Sequence, residues 1–306
     1  MTNIYVAGHK GLVGSALVRT IESETSHSWV GVGRGELDLL NRDQVFEYVH
    51  STRPDAIVIA AARVGGILAN SSFPVEFLSE NLRIMTNLLD ASHAANIERV
   101  LFLGSSCIYP RMSPQPIKEE YLLTGELEPT NEAYALAKIS GLKMIQAYRK
   151  QYGRNWISIM PTNLYGPNDN FEAESSHVLP AMLRRFHEAK QQDVPSVDVW
   201  GSGSPRREFL HVDDLARACL FVLDNYSGDV PLNVGTGIDI SIKELTELTR
   251  EIVGYSGEIK WDTSRPDGTP QKLLDVSRIQ KLGWQHQINL YEGIKTTYDW
   301  YKQTQD

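Results

Sequence analysis

The sequence predicts an α/β fold, a doubly wound parallel sheet with a smaller C-terminal α+β lobe, and three features lead there. Short apolar runs alternate with helix-period stretches up to about residue 160. The first run passes directly into the glycine-spaced turn Gly8-His-Lys-Gly11-Leu-Val-Gly14 and then into a helical stretch. Beyond Tyr165 the alternation gives way to glycine, proline and aromatic residues, as at Trp200-Gly-Ser-Gly-Ser-Pro205.

Taken in order, Asn3 to Ala7 is the first strand and Ser15 to Ile21 begins its helix. Trp29 to Gly33 reads as the second strand, followed by a helix near Gln44 to Ser51. Ala56 to Ala60, Arg99 to Leu103 and Trp156 to Met160 are apolar enough to be covered on both faces, as parallel strands are. Helices near Val75 to Ala95 and Glu132 to Tyr152 separate them, the second with Asn131 as its cap. The loop from Ser105 to Asn131 carries Pro110, Pro114, Pro116 and Pro129 and starts at the carboxyl edge of the sheet, where open α/β sheets bind ligands. Further on, Asp213 to Leu223 is a helix, with His211 in its capping neighbourhood, and Leu232 to Val234 is a short strand. Ser241 to Val253 and Leu290 to Tyr301 are helices of the smaller lobe.

Bulk properties narrow the function classes. A formal charge of -8 over 306 residues argues against nonspecific nucleic-acid binding and directs attention to small-molecule partners. No apolar run approaches the roughly 20 residues of a membrane span and no secretion signal opens the chain, so a cytoplasmic protein is expected. The two cysteines, Cys107 and Cys219, lack the spacing of a disulfide framework or a zinc site, so no metal is expected.

The glycine turn assigns a nucleotide site. Gly8 makes the sharp bend, Gly11 lets the backbone approach a pyrophosphate, and Gly14 lets the helix pack close, with the anion at the helix N-terminus. Arg34 ends the second strand and Lys10 lies in the turn, so a 2'-phosphate is favoured and NADP(H) is the expected cofactor, with Glu36 the opposing feature. Asp38 is placed to accept from the adenine amino group. The chemistry comes from Tyr134-Ala-Leu-Ala-Lys138 and the preceding Gly104-Ser105-Ser106-Cys107. Residues four apart share a helix face, so the Lys138 ammonium is expected beside the Tyr134 phenol, lowering its pKa toward useful acid/base range; Ser105 supplies a second hydroxyl.

These residues resemble the extended short-chain dehydrogenase/reductase family, over nearly the whole chain. The stretches that carry the resemblance are Ala7 to Gly14, Ala60 to Ile67, Leu103 to Pro110, Pro161 to Pro167 and Arg207 to Asp214. They are similar to the family's NADPH-dependent epimerase-reductases of GDP-4-keto-6-deoxy-mannose, and Cys107 is the discriminating position. The resemblance implies a Rossmann domain from residues 1–164 and 208–236, and a substrate lobe from 165–207 and 237–306. It implies that Cys107 and His177 exchange protons at C3 and C5 while Tyr134 and Ser105 handle the ketone. It adds Leu12, Val13, Leu39, Leu103, Gly104, Ser106, Pro161, Asn163, Leu164, Lys138 and His177 to the cofactor set, and gives Arg185, Trp200, Arg207, Asp267 and Lys272 to a GDP-sugar substrate. By the same analogy two copies pair through a four-helix bundle, with Leu78, Leu82, Met85 and Leu89 on one helix and Leu142, Ile145 and Tyr148 on the other fitting either that interface or internal packing. The competing readings are a sugar-nucleotide 4-epimerase or dehydratase, which recycles its cofactor, and a non-catalytic NADP-binding regulator.

Overall fold

The computed structural model describes residues 1–173, 175–264 and 267–305. Strand and helix alternate through β1 (Asn3–Ala7), α1 (Leu12–Glu24), β2 (Ser28–Val30), α2 (Arg42–Thr52), β3 (Ala56–Ile59), α3 (Ile67–Ser72), α4 (Pro74–Ala94), β4 (Arg99–Leu103), α5 (Glu132–Tyr152) and β5 (Ile157–Pro161). The chain continues as β6 (Asn163–Tyr165), α6 (Val178–Gln191), β7 (Ser196–Trp200), β8 (Arg206–His211), α7 (Val212–Asn225) and β9 (Leu232–Val234). It closes with β10 (Asp239–Ser241), α8 (Ile242–Val253), β11 (Glu258–Asp262), β12 (Gln271–Lys272), α9 (Ser277–Lys281) and α10 (Leu290–Gln303).

Six strands form one parallel sheet in the order β2-β1-β3-β4-β5-β9. Its central side chains, among them Val6, Ile57, Val58, Val100 and Leu101, are fully buried on both faces, as parallel strands covered by helices require. One side is covered by α1 and α7, which pack together, and the other by α2, α4 and α5. The chain leaves β1 in one direction to β2 and in the other to β3, and a crevice opens at that switch point on the carboxyl edge.

Two local expectations are corrected. The second strand ends at Val30, short of Gly33, where its pairing with β1 stops; beyond it His9 packs on Gly31, and a Cβ there would lie 2.8 Å from the His9 Nδ1. Asn131 stands at the start of α5 without a side-chain capping bond, since it closes a 3-10 turn, Pro129 to Asn131, that runs straight into the helix. His211 does cap α7, its Nδ1 accepting from the Asp213 N–H at 3.2 Å.

A second core gathers Tyr165, Leu183, Phe186, Leu245 and Ile294. Strand β8 joins the two: Phe209 faces the second core and Leu210 the first, as the period of a strand dictates. It pairs antiparallel with β10 and parallel with β6 and β12. Its fully buried Glu208 accepts from the Gly237 N–H at 2.7 Å and the Leu274 N–H at 3.0 Å, so one carboxylate ties three segments together. Late residues Leu274, Val276, Ile279 and Trp284 return to the first core. Among the described residues, no helix is long and apolar enough to cross a membrane.

Candidate active site

The crevice begins at Gly8, whose φ of +88° lies in the left-handed region that glycine alone occupies without strain. A Cβ on Gly8 would lie 2.8 Å from the Ala61 backbone, and one on Gly14 would lie 2.0 Å from the Gly8 carbonyl oxygen, so side chains at either position would fill the cradle. At Gly11 the nearest atom would be 3.5 Å away, which leaves that position open. Gly11 is also the N-cap of α1 and offers no side-chain cap, so the first N–H groups, from Leu12 and Val13 onward, are free to meet an anion.

Two cations stand at the segment just past β2. A Cβ on Gly33 would be 3.0 Å from the Lys10 ammonium, and Arg34 follows on the exposed surface. These residues fit the 2'-phosphate of NADP. Asp38 is held in a tight turn: its carboxylate accepts from the Leu40 N–H at 3.0 Å and its own N–H meets the Gln44 side chain at 3.1 Å. Leu39 is anchored through its carbonyl to Asn87 at 2.9 Å. Leu103 ends β4 and Gly104 follows it, with the Gly104 N–H donating to the Ile159 carbonyl at 2.9 Å and Ser106 buried beyond them. Pro161 ends β5; Leu164 lies on β6, and Asn163 spends its side-chain amide on the Glu208 carbonyl at 2.8 Å, which makes it a clasp between β6 and β8.

The chemical groups meet at the end of β4. Ser105 has extended backbone, and its hydroxyl accepts from the Cys107 N–H at 3.2 Å, which fixes the 3-10 turn bearing Cys107. The same Ser105 side chain faces the Tyr134 phenol in the first turn of α5. Burial pushes the Tyr134 pKa up, with the nearby Cys107 adding to the rise and the Ser105 hydroxyl opposing it. The expectation that Lys138 depresses the Tyr134 pKa is therefore corrected for the chain by itself. Lys138 is almost fully buried and donates to the Leu103 carbonyl at 2.8 Å, with its ammonium 5.6 Å from the Tyr134 ring centre. Desolvation there pulls its pKa down to about 8, with Cys107 as the opposing influence.

The far side of the cleft is cationic. Lys272 places its Nζ 3.8 Å from the Cys107 Sγ, and Arg207 lies within electrostatic reach of Cys107, Glu128 and Asp267. Desolvation is nevertheless the main effect on Arg207, lowering its pKa. Glu128 was not singled out by sequence; its carboxylate meets Arg111 at 3.1 Å and Thr269 at 3.2 Å, joining the proline-rich loop to the segment that carries Asp267 and Lys272. No local pattern marks it, because its partners lie far along the chain. Asp267 accepts from the Ser202 N–H at 2.9 Å and its hydroxyl at 2.6 Å, which holds the turn after Trp200 and lowers the Asp267 pKa. Trp200 is 62% exposed, a broad apolar face for so open a position.

His177 and Arg185 come from a separate element. His177 is the N-cap residue of α6 and is exposed to solvent, while desolvation by the nearby protein lowers its pKa. The adjoining Ser175 carbonyl accepts from the Gly66 N–H at 2.9 Å, which brings this loop against the end of the segment after β3. Arg185, two turns into α6, donates to the Asp198 carbonyl of β7, and desolvation lowers its pKa. Hydrogen bonds among the described residues do not join His177 to Cys107. Such an arrangement can polarise a carbonyl at Tyr134 and Ser105, move a proton at a thiol beside it, and hold an anion on the cationic wall.

Residues 4–235 match the NAD dependent epimerase/dehydratase family. The chain is similar to GDP-L-fucose synthase of Escherichia coli (strain K12), 49% identical over 312 residues that take in 99% of this chain and 97% of the relative. It is 53% identical to GDP-L-fucose synthase 1 of Arabidopsis thaliana over 298 residues, 97% of this chain and 92% of that protein. Among solved structures, a GDP-L-fucose synthetase from Naegleria fowleri bound to NADP superposes with a TM-score of 0.92 at 29% identity, covering 99% of this chain and 93% of the other.

Proposed function

The chain belongs to the NAD dependent epimerase/dehydratase family, and from that premise we propose that it epimerises GDP-4-keto-6-deoxy-D-mannose at C3 and C5 and reduces it at C4, with NADPH, to GDP-L-fucose. The observation that carries this reading is that the Ser105 hydroxyl, the Tyr134 phenol and Cys107 lie together at one strand end. A carbonyl-holding pair with a thiol beside it serves proton exchange next to a ketone, which a simple reductase does not need.

The C4 ketone makes the hydrogens on C3 and C5 acidic. Cys107, as thiolate, takes such a proton: the C–H bond breaks, an S–H bond forms, and the electron pair moves to the C4 oxygen. Tyr134 and Ser105 donate hydrogen bonds to that oxygen as it gains charge. His177 returns a proton from the opposite face, and inversion results. NADPH, when bound, supplies hydride to C4; the Tyr134 phenol, kept protonated by its burial, gives the proton to the C4 oxygen. Lys138, bonded to the Leu103 carbonyl with its ammonium 5.6 Å from the Tyr134 ring centre, positions the end of β4 against the phenol.

NADPH is held by Gly8, Lys10, Gly11, Leu12, Val13 and Gly14 at its phosphates, by Arg34 with Lys10 at the 2'-phosphate, and by Asp38 and Leu39 at the adenine. Residues 1–164 and 208–236 bind the cofactor and residues 165–207 and 237–306 the GDP-sugar, where Arg185 and Arg207 face the pyrophosphate and Trp200 and Asp267 the nucleoside. Two copies pair through α4 and α5. Because Met85, Leu89, Leu142 and Ile145 are buried within one chain, exposed positions such as Val75 and Leu136 are left to meet the partner. The enzyme works in the cytoplasm, a reducing compartment that suits two unpaired cysteines.

The test is spectrophotometric. With GDP-4-keto-6-deoxy-D-mannose the chain consumes NADPH in proportion to the sugar reduced, whereas a 4-epimerase or dehydratase leaves the nicotinamide absorbance unchanged. No NADPH consumption with that sugar overturns the proposal.

A further inference from the structure

Lys272 lies 165 residues from Cys107 in sequence, yet its Nζ stops 3.8 Å from the Cys107 Sγ. Its placement is unusually well secured for a residue of a two-residue strand. Lys272 stands in register with Arg207 of β8, and the neighbouring Gln271 side chain donates to Asp239 at 2.6 Å. On the other flank the Leu273 N–H donates to the Gln115 side chain at 2.8 Å, and the Leu273 carbonyl accepts from Ile117 at 2.7 Å. The Leu274 N–H ends on the buried Glu208 at 3.0 Å. The ammonium is thus delivered by a clamped backbone to a thiol whose own backbone N–H is held by Ser105.

The other charged or titratable groups that face Cys107 are Arg207 on β8 and Tyr134 and Lys138 on α5. Each has another engagement: Arg207 faces Glu128 and Asp267, Lys138 donates to Leu103, and Tyr134 faces Ser105. Lys272 is the cation in contact with the sulfur.

Building on the epimerase reading above, we propose that Lys272 holds Cys107 as the thiolate, making it the proton acceptor of the epimerisation. During each exchange the ammonium keeps its three protons. The sulfur gains the proton that leaves the sugar carbon, the electron pair passes to the C4 oxygen, and the S–H proton is lost to solvent once His177 has reprotonated the carbon.

The experiment is the pH dependence of Cys107 alkylation by iodoacetamide in the full chain with NADPH present, for the parent, Lys272→Met and Lys272→Arg. Cys107→Ser is the blank, since Cys219 is buried and out of reach. In Lys272→Met the midpoint lies about one pH unit above that of the parent, so that alkylation at pH 7 slows about tenfold, while Lys272→Arg keeps most of the parent rate. Retained NADPH fluorescence shows that the variants are folded. An unmoved midpoint in folded Lys272→Met overturns the proposal, and so does a raised KM for the GDP-sugar with the thiol profile unchanged. The alkylation profile is read without sugar, so a failed shift condemns the role of Lys272 alone, and absent turnover with the shift in place condemns the substrate reading alone.

Discussion

Gly14→Ala tests whether the cradle at the start of the chain is built as tightly as its function demands. The added methyl would sit 2.0 Å from the Gly8 carbonyl oxygen, 2.6 Å from its carbon and 2.7 Å from the His9 Cα, all backbone atoms that no rotamer change can move aside. To restore ordinary contact the turn must retreat by more than about 1 Å. Overpacking of this kind costs about 1–3 kcal/mol, and the upper end applies here; the better helix propensity of alanine returns at most about 1 kcal/mol. The net loss is about 2 kcal/mol, or a Tm lower by roughly 4 °C. The retreat also carries the turn away from the phosphates, so NADPH affinity falls at least about tenfold, equivalent to about 1.4 kcal/mol. Gly11→Ala is the control, because its methyl would meet only one atom, at 3.5 Å, and its φ of -79° is ordinary. That variant keeps the parent Tm and loses NADPH affinity alone. Thermal unfolding and fluorescence titration with NADPH read both quantities. Parent-like Tm and affinity in Gly14→Ala, or equal destabilisation by the two substitutions, would refute the reasoning.

Two further outcomes follow from the same geometry. Lys138→Met lowers C4 reduction about 100-fold and also changes the pH profile of stability. Since the folded-state pKa of Lys138 is about 8 against 10.5 for the free side chain, the burial penalty is complete below pH 8. It is relieved as pH rises toward 10.5, where the unfolded chain binds the extra proton, so the parent gains up to about 3 kcal/mol over that window and the variant does not; guanidinium unfolding at pH 7 and 9.5 distinguishes them, and parallel profiles contradict the assignment. Arg34→Glu removes one of the two cations just past β2, so kcat/KM for NADPH relative to NADH falls by at least about tenfold, and an unchanged ratio would remove Arg34 from the cofactor site.

The first half of the molecule was legible because its signals are local. The helix read over Glu132 to Tyr152 and the strand over Arg99 to Leu103 are found with those bounds, and the glycine turn lies where its spacing places it. Continuous apolar runs and glycine punctuation need no knowledge of distant partners. Strand β8 escaped notice because Arg206, Arg207 and Glu208 make it read as polar, yet Glu208 is fully buried and satisfied by backbone N–H groups from two other segments. Strand β7, Ser196 to Trp200, is short, with every second residue exposed. The contact of Lys272 with Cys107 and the clasp of Glu128 on Thr269 arise from chain topology and have no local signature. The Tyr134–Lys138 spacing correctly put both groups on one helix face, but it carries no information on burial, and burial sets both pKa values.

The central claim is that the Cys107 thiol exchanges protons beside a ketone held by Tyr134 and Ser105. Proton NMR of GDP-4-keto-6-deoxy-D-mannose in deuterated water, with the chain and NADP⁺, observes that step without reduction. The parent replaces the C3 and C5 hydrogens with deuterium, and Cys107→Ser does so at a rate at least about 100-fold lower while still binding the cofactor. Exchange by Cys107→Ser at the parent rate contradicts the account.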